Sequence, residues 1–497
     1  MNNKADMNNL FHAAALLFVS VMLLILASPG MDRGFLAWFA LVPLFILAEK
    51  RYIRPFWAGL LFGEFYYFFG ISWLSFPLTD IGSAPLFVSW IVTAVFAAYL
   101  GLYYGLTAYV FARSRGSLLF VPVVFAAGEF FRGIFLTGFP WLTLGQTQYL
   151  YPELLTVTSF FGEYGLSFLI VTGNLLVYHG IRGRRHILFA AGIFLPVLLY
   201  LAGSAMPEPE SGGTAKVRMI QTGVAQEEKW DEERKERVIS TVQQMLLGSG
   251  FKDFDLLVLP ETAYPVLVQD DAIIDLTLST IGEDTPVLIG VMRREENGDE
   301  RKYYNSAALY AGQGSAVYDK VHLVPFGEYF PMSGLFKAID DFFFNGAHDY
   351  SKGERLSVFD LGKMKIAPMI CYEGAFYRQL AAQAAAGANM VVIISNDSWF
   401  GFSHGRYQHL AVDVMRAAEF GRWIARCTQS GISAYIDPKG RIKSVMGVGE
   451  SGYLDYEVNL VQGRTFFGLY GYTWLGTLLF VSLSAALIKR IRRHNKP

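Results

Sequence analysis

Cysteine is nearly absent from this 497-residue chain. There are two, Cys371 and Cys427, so one disulfide is the most that can form. Histidine is scarce as well, with eight residues. His404 and His409 stand close together without the HExxH or paired spacing of a zinc site, so neither a metal nor a cofactor is expected. Charge is thin at 17% and balanced, 42 Lys and Arg against 43 Asp and Glu. No basic stretch interleaves with aromatics as a nucleic-acid surface requires, and no nucleic-acid partner is expected. There is no internal repeat and no low-complexity tract.

Apolar residues dominate instead. They make up 53% of the chain, aromatics 15%, and the mean hydropathy is +0.32, which points to a membrane. Stretches of membrane-spanning character run over 10–27, 35–48, 56–76, 86–112, 117–135, 155–178, 187–202 and 469–488. The expected architecture is therefore an α-helical bundle of eight spans, with a polar domain between the seventh and the eighth. Lys4 ahead of the first run resembles a signal peptide, but Ala27-Ser28-Pro29-Gly30 is a poor cleavage site and further spans follow, so the segment is read as retained.

Basic residues give the orientation. With the amino terminus inside, the inner segments hold Lys4; Lys50, Arg51 and Arg54; Arg113 and Arg115; Arg182, Arg184 and Arg185; and Lys489, Arg490, Arg492, Arg493 and Lys496. The short outer loops hold Arg33 and Arg132 alone. This asymmetry places the polar domain on the outer side, which in a bacterium is the periplasm. The expected division is 1–205 for the seven-span part, 206–464 for the outer domain, and 465–497 for the last span with a basic inner tail. The linker 206–214, MPEPESGGT, suits an exposed boundary. Glu64, Glu129 and Glu163 lie in or beside spans, where carboxylates are costly; a structural pair of Glu129 with Arg132, one turn away, is expected.

Within 206–464, short β-branched runs at 217–221, 256–259, 287–292, 306–310, 365–370, 390–395, 432–437 and 452–458 read as strands covered on both faces. Helical patterns intervene at 233–247, 272–281, 377–386 and 407–423, so helices layered on sheets are expected. The interval 330–350, with Phe342, Phe343 and Phe344, is too apolar for an ordinary water-facing loop. It suits a lid or a membrane-dipping element, or a loop packed on the domain core.

Three residues in this domain carry reactive chemistry. Glu261 follows the run 256–259, Cys371 follows 365–370, and Lys320 precedes the apolar run 321–325. Each alone has a bland reading: a buried apolar cysteine, a helix-capping glutamate, a solvated lysine. Placed together at strand ends, where side chains converge on one crevice, they make a nucleophile, a base and a cation for an oxyanion. In an oxidising compartment a Cys371–Cys427 bridge has to be weighed, and it would consume the thiol.

The residues around these three match a known pattern. PETAYP at Glu261, KVHLVPFGEYFP at Lys320 and ICYEG at Cys371 resemble the carbon-nitrogen hydrolase (nitrilase) superfamily, and the flanking spans narrow the resemblance to the bacterial apolipoprotein N-acyltransferase family. GEFFRGIFLTGFPWLTLGQTQ, GEYGLSFLI, SNDSWFG and QHLAVDVMRAAEFGRW agree, so the likeness covers nearly the whole chain. One departure is Gln221-Thr222-Gly223, where the family commonly has a QGN-like turn.

The resemblance implies an α+β domain of αββα sandwich type on the outer face of the inner membrane. Glu261 is then general base, Lys320 the oxyanion cation and Cys371 the nucleophile, with Glu328, Glu373, Tyr372 and Trp230 in support. It implies ping-pong transfer of an acyl chain from a phospholipid, through a thioester, to the α-amine of a diacylglyceryl-cysteine lipoprotein. A monomer is expected. Trp399, Phe400 and Phe342 to Phe344 are the candidates for acyl-chain contact, and Cys427 receives no role. A membrane-anchored amidase would use the same triad with water as acceptor and no need of eight spans. A transporter or receptor would leave the triad idle and would line several spans with ionisable groups.

Overall fold

A computed structural model describes residues 3–81, 84–229, 231, 233–298, 300–329 and 350–494. The amino-terminal part is helical: α1 (Asn3–Ala27), α2 (Val42–Lys50), α3 (Pro55–Gly70), α4 (Leu86–Ser114), α5 (Phe120–Arg132), α6 (Thr158–Gly183) and α7 (His186–Ser204), with single-turn helices between. Four of these segments are long and apolar enough to cross a membrane: 7–27, 86–114, 158–183 and 186–204. The other expected spans are helical but shorter. The stretch 35–48 breaks at Leu41, because Pro43 starts a new helix in its first turn. Helix α5 stops at Arg132, and the backbone then turns through positive φ at Leu136 and Thr137. The carboxyl-terminal helix (Thr473–His494) is apolar over 473–488.

Between them lie two six-stranded sheets. The first has the order β12 (Gly452–Val461), β1 (Ser211–Gln221), β2 (Leu256–Val258), β3 (Val287–Asn297), β4 (Glu300–Ala311), β5 (Gly314–Asp319). The second runs β11 (Ile442–Met446), β10 (Ser433–Ile436), β9 (Ile424–Thr428), β8 (Met390–Ser395), β7 (Met364–Ile370), β6 (Phe359–Leu361). Strands β1, β2 and β3 are mutually parallel, as are β7, β8 and β9, so both sheets have parallel centres and antiparallel margins.

Period-two alternation divides each central strand between two cores. Val217, Met219, Leu256, Val258 and Leu288 meet Ile366, Ile370, Val392, Ile394 and Cys427 inside the sandwich. The outer face of the first sheet, with Ile220, Leu257 and Ile289, is covered by α8 (Lys235–Leu247) and α9 (Ala272–Asp284). The outer face of the second, with Ala367, Met369, Val391 and Ile393, is covered by α10 (Tyr377–Ala385) and α11 (Gly405–Phe420). That last core continues without a break into Trp38, Phe62, Leu100 and Ile170 of the helical part. Helix α11 ends at Phe420 rather than running on to 423, because Gly421 takes a left-handed conformation and Arg422 N closes on Ala417 O.

Candidate active site

Three sheet ends meet at one place. Leu259, just beyond β2, passes to Pro260 and Glu261, which lie directly on β3: a Cβ at Gly290 would come within 2.4 Å of Glu261 Cα, so only glycine lets the backbones approach this closely. Thr262 then takes φ 43°. Lys320 follows β5, its amide held by Asn305 O. Cys371 follows β7 and is itself left-handed, at φ 53°. Such values in residues bearing a Cβ mark backbone held against its preference by its surroundings.

The side chains converge. Lys320 Nζ is 2.9 Å from Glu328 Oε1 and 3.8 Å from Glu261 Oε1, with all three side chains buried. Asn305 Nδ2 donates to Glu261 Oε1 at 2.7 Å and to Glu328 Oε1 at 2.9 Å, fixing the two carboxylates relative to each other. Glu261 Oε2 has no hydrogen-bond partner among the described residues. It is therefore available to take a proton. Burial and Glu261 push the Cys371 thiol well up against the pull of Lys320, so the resting sulfur is protonated and an acceptor is needed. Burial opposes charge on Lys320, but Glu328 and Glu261 outweigh it and hold the ammonium above its ordinary range.

Glu373 binds the arrangement together. Its Oε1 accepts from Tyr318 OH (2.8 Å), Val321 N (2.8 Å), His322 N (3.0 Å) and Gln379 Nε2 (3.2 Å), and its Oε2 accepts from Ile370 N (2.9 Å). One carboxylate thus ties the segment after Lys320 to the residue before Cys371. Tyr372 turns the other way and donates to Gly138 O of the helical part at 2.9 Å. His322 stacks on Phe376 with centroids 3.6 Å apart; burial and then Lys320 lower its pKa to about 4.

Of the remaining expected residues, Trp399 is half-buried. Phe400 is buried against Trp73 and Trp141, with ring centroids 4.7 and 5.8 Å away. Trp230, Phe342, Phe343, Phe344 and the interval 330–349 lie outside the described residues. Both cysteines are free; Cys427 lies within the sandwich, its thiol directed at Ile220 O and Val258 O. Glu129 and Arg132 make no direct ion pair: Glu129 accepts from Leu144 N at 2.7 Å, while Arg132 donates to Tyr67 OH.

The sequence reading missed Asn305, whose signal was a lone amide in the apolar strand YYNSAALY. It also missed Lys229, a buried lysine whose Nζ reaches Thr262 Oγ1, Gln429 Oε1 (3.0 Å) and Glu261 O (3.4 Å) behind the carboxylate; burial lowers its pKa to about 7.

Comparison with known proteins gives the family. Residues 20–176 match the apolipoprotein N-acyltransferase N-terminal domain, and residues 216–466 the carbon-nitrogen hydrolase family. The apolipoprotein N-acyltransferase of Geobacter metallireducens is 32% identical, with 96% of each chain covered. The chain belongs to the apolipoprotein N-acyltransferase family. Similar proteins of that name include those of Pseudomonas syringae pv. tomato, 35% identical over 88% of this chain and 90% of that one, and Pseudomonas putida, 36% identical over 84% and 85%. It is an acyltransferase of lipoprotein maturation, built from a carbon-nitrogen hydrolase domain joined to an apolar helical part.

Proposed function

We propose that Cys371 is acylated by a phospholipid and passes the chain to the α-amine of a diacylglyceryl-cysteine lipoprotein. The observation that carries this reading is a half-buried thiol beside a carboxylate with one unpartnered oxygen and a fixed ammonium. In the first half-reaction Glu261 removes the thiol proton and sulfur attacks the acyl ester carbonyl. Lys320 balances the oxyanion, and collapse breaks the ester C–O bond. Glu261 returns the proton to the departing alkoxide, leaving lysophospholipid and a thioester. In the second half-reaction the lipoprotein amine attacks the thioester, its proton passes to Glu261, and the C–S bond breaks to give amide and, after reprotonation, thiol.

Glu328 and Asn305 set the lysine and the base, Glu373 sets the nucleophile turn, and Tyr372 ties that turn to the helical part. Trp230 is assigned to support of the site, and Trp399, Phe400 and Phe342 to Phe344 to acyl-chain contact. The helical part, 1–205, and 465–497 cross the bacterial inner membrane eight times in this reading. They hold the domain 206–464 of a monomer at headgroup level on the periplasmic side, because both substrates keep their chains in the bilayer. A small-amide hydrolase has no use for such a platform.

The test is intact mass analysis after exposure to phospholipid. One fatty-acyl adduct is expected, removed by hydroxylamine and absent from Cys371→Ser; an adduct persisting in that variant overturns the thioester. Glu261→Gln should slow its formation about 10²–10⁴-fold, the range of a positioned general base, and acylation at the wild-type rate would assign the base elsewhere. A cysteine introduced at exposed Glu210 should be labelled from the periplasm; labelling from the cytoplasm alone reverses the orientation.

A further inference from the structure

On the second-sheet side of Cys371 lies a buried polar cluster that the acyl-transfer steps do not use. Asp397, fully buried, accepts from Ser395 Oγ at 3.0 Å and from Arg426 Nη2 at 2.7 Å, and pairs with His409 Nδ1 at 2.9 Å. Arg426, on β9, also pairs with Asp413 of α11. Two of Asp397's partners reach the nucleophile. Ile370 pairs with Ile394 across the parallel β7–β8 ladder, so Cys371 and Ser395 leave the sheet side by side. His409 Nε2 faces the Cys371 carbonyl oxygen at 3.4 Å, its ring fixed between Trp141 and Phe400, each with a centroid 5.5 Å away. There is no slack behind the cluster. A Cβ at Gly431 would come 2.4 Å from Asp397 Oδ2, and one at Gly374 would come 2.4 Å from Asp413 Oδ1.

We propose that Asp397 is a positioning residue for the nucleophile, holding the sulfur of Cys371 through Ser395 and its carbonyl through His409. The two arms act on different torsions. Ser395, held by Asp397 beside Cys371, limits the side-chain rotamer, and the contact at the carbonyl oxygen restrains the backbone in the left-handed conformation that a residue with a Cβ avoids. Together they aim the thiol at Glu261 and Lys320, which come from the opposite sheet. Burial alone would raise the Asp397 carboxyl, but Arg426 and His409 hold it well below the usual carboxylate range, so it stays an acceptor for both arms. When Glu261 has taken the thiol proton, the Ser395 hydroxyl can turn from Asp397 to donate to the thiolate. No atom of Asp397 touches substrate in this scheme. His409, which spacing excluded as a metal ligand, thereby gains a role through its two ring nitrogens.

This inference rests on Cys371 being the acylated residue, and the experiment separates the two ideas. Full-length wild type, Asp397→Asn, Ser395→Ala and His409→Leu are held in detergent micelles containing a diacyl phospholipid of one chain length. Two rates are read by mass spectrometry: growth of the hydroxylamine-labile adduct on Cys371, and iodoacetamide labelling of each cysteine. Cys427, sealed inside the sandwich, reports loss of the fold.

Asp397→Asn should slow the adduct about 10–100-fold, the scale of a misplaced reacting group, with Cys427 unlabelled. Ser395→Ala and His409→Leu should each slow it less. Adding His409→Leu to Asp397→Asn should slow it no further than Asp397→Asn alone, because one path is broken twice. Adduct formation by Asp397→Asn at the wild-type rate overturns the proposal. If Cys427 becomes labelled in Asp397→Asn, the milder Ser395→Ala decides: a slowed adduct with Cys427 still sealed supports the positioning role, and a wild-type rate overturns it. A wild type that never forms the adduct defeats the acylation reading itself rather than this one.

Discussion

Helices α8 and α11 occupy equivalent layers of the sandwich, one on each sheet, and differ in what covers their far side. Four of the 13 residues of α8 are buried, all on one stripe, and its polar face meets water. In α11, 15 of 16 residues are buried, because the second sheet lies against one face and the helical part against the other. On a helix covered twice an unpaired charge is costly. Accordingly Asp413 meets Arg426 on the sheet side, while Arg416 meets Glu163 at 3.1 Å and Glu419 at 3.0 Å on the bundle side. Glu419 Oε1 also accepts from Glu163 N at 2.6 Å. A helix that in a water-soluble sandwich would need only an apolar stripe here carries a second, ionic interface.

That contrast can be broken in graded steps. Arg416→Leu should have the largest effect, because Glu163 and Glu419 are left buried without their cation; a loss of about 3–5 kcal/mol is expected, read as a lowered thermal midpoint in detergent. A midpoint within a degree of wild type would mean that the ionic interface is dispensable. Leu278→Ala, in the apolar stripe of α9, should cost about 2–5 kcal/mol through the cavity it leaves, without altering how the two parts associate after mild proteolysis. Tyr372→Phe removes a single hydrogen bond to Gly138 and should lower stability by about 1 kcal/mol, with a larger proportional effect on acyl-adduct formation than on the midpoint. Arg234→Ala, beside α8, disrupts exposed pairs with Glu228 and Asp231 and should leave the midpoint unchanged. A measurable drop there would remove the distinction between the two layers.

Much of this organisation was legible in the chain. Glu261, Lys320 and Cys371 were readable because each adjoins an apolar run, and a parallel strand buried on both faces has to be such a run. The four helices of the outer domain were visible for the same reason of period. Strands β5 and β11 were not, since GSAVYD and IKSVM lie at sheet edges where water tolerates polar residues. Strand β6 has three residues, too few to show a period. Strand β9, IARCT, was obscured by Arg426, a charge in the middle of a buried strand that makes sense only once Asp397 and Asp413 are beside it. Asn305 and Lys229 escaped because their partners lie tens to hundreds of residues away, and the Asp397 cluster because Cys371, His409 and Arg426 reach it from three separate elements; no local spacing encodes such meetings. The eight expected spans proved uneven for a related cause: breaks such as the one at Leu41 are supported by neighbouring segments that a sliding window does not see.

Gln408 and His409 are adjacent on α11. Gln408 Oε1 accepts from Trp73 Nε1 at 3.0 Å and from Trp141 Nε1 at 2.8 Å, and its Nε2 donates to Gly70 O at 2.9 Å. His409 faces the Cys371 carbonyl. A single peptide unit therefore sets the distance between Trp73 and Trp141 of the helical part and the turn that carries Cys371. A movement of the helical part at Trp73 and Trp141 is therefore carried to the Cys371 turn with little slack, and the spacing between the two is built into the chain.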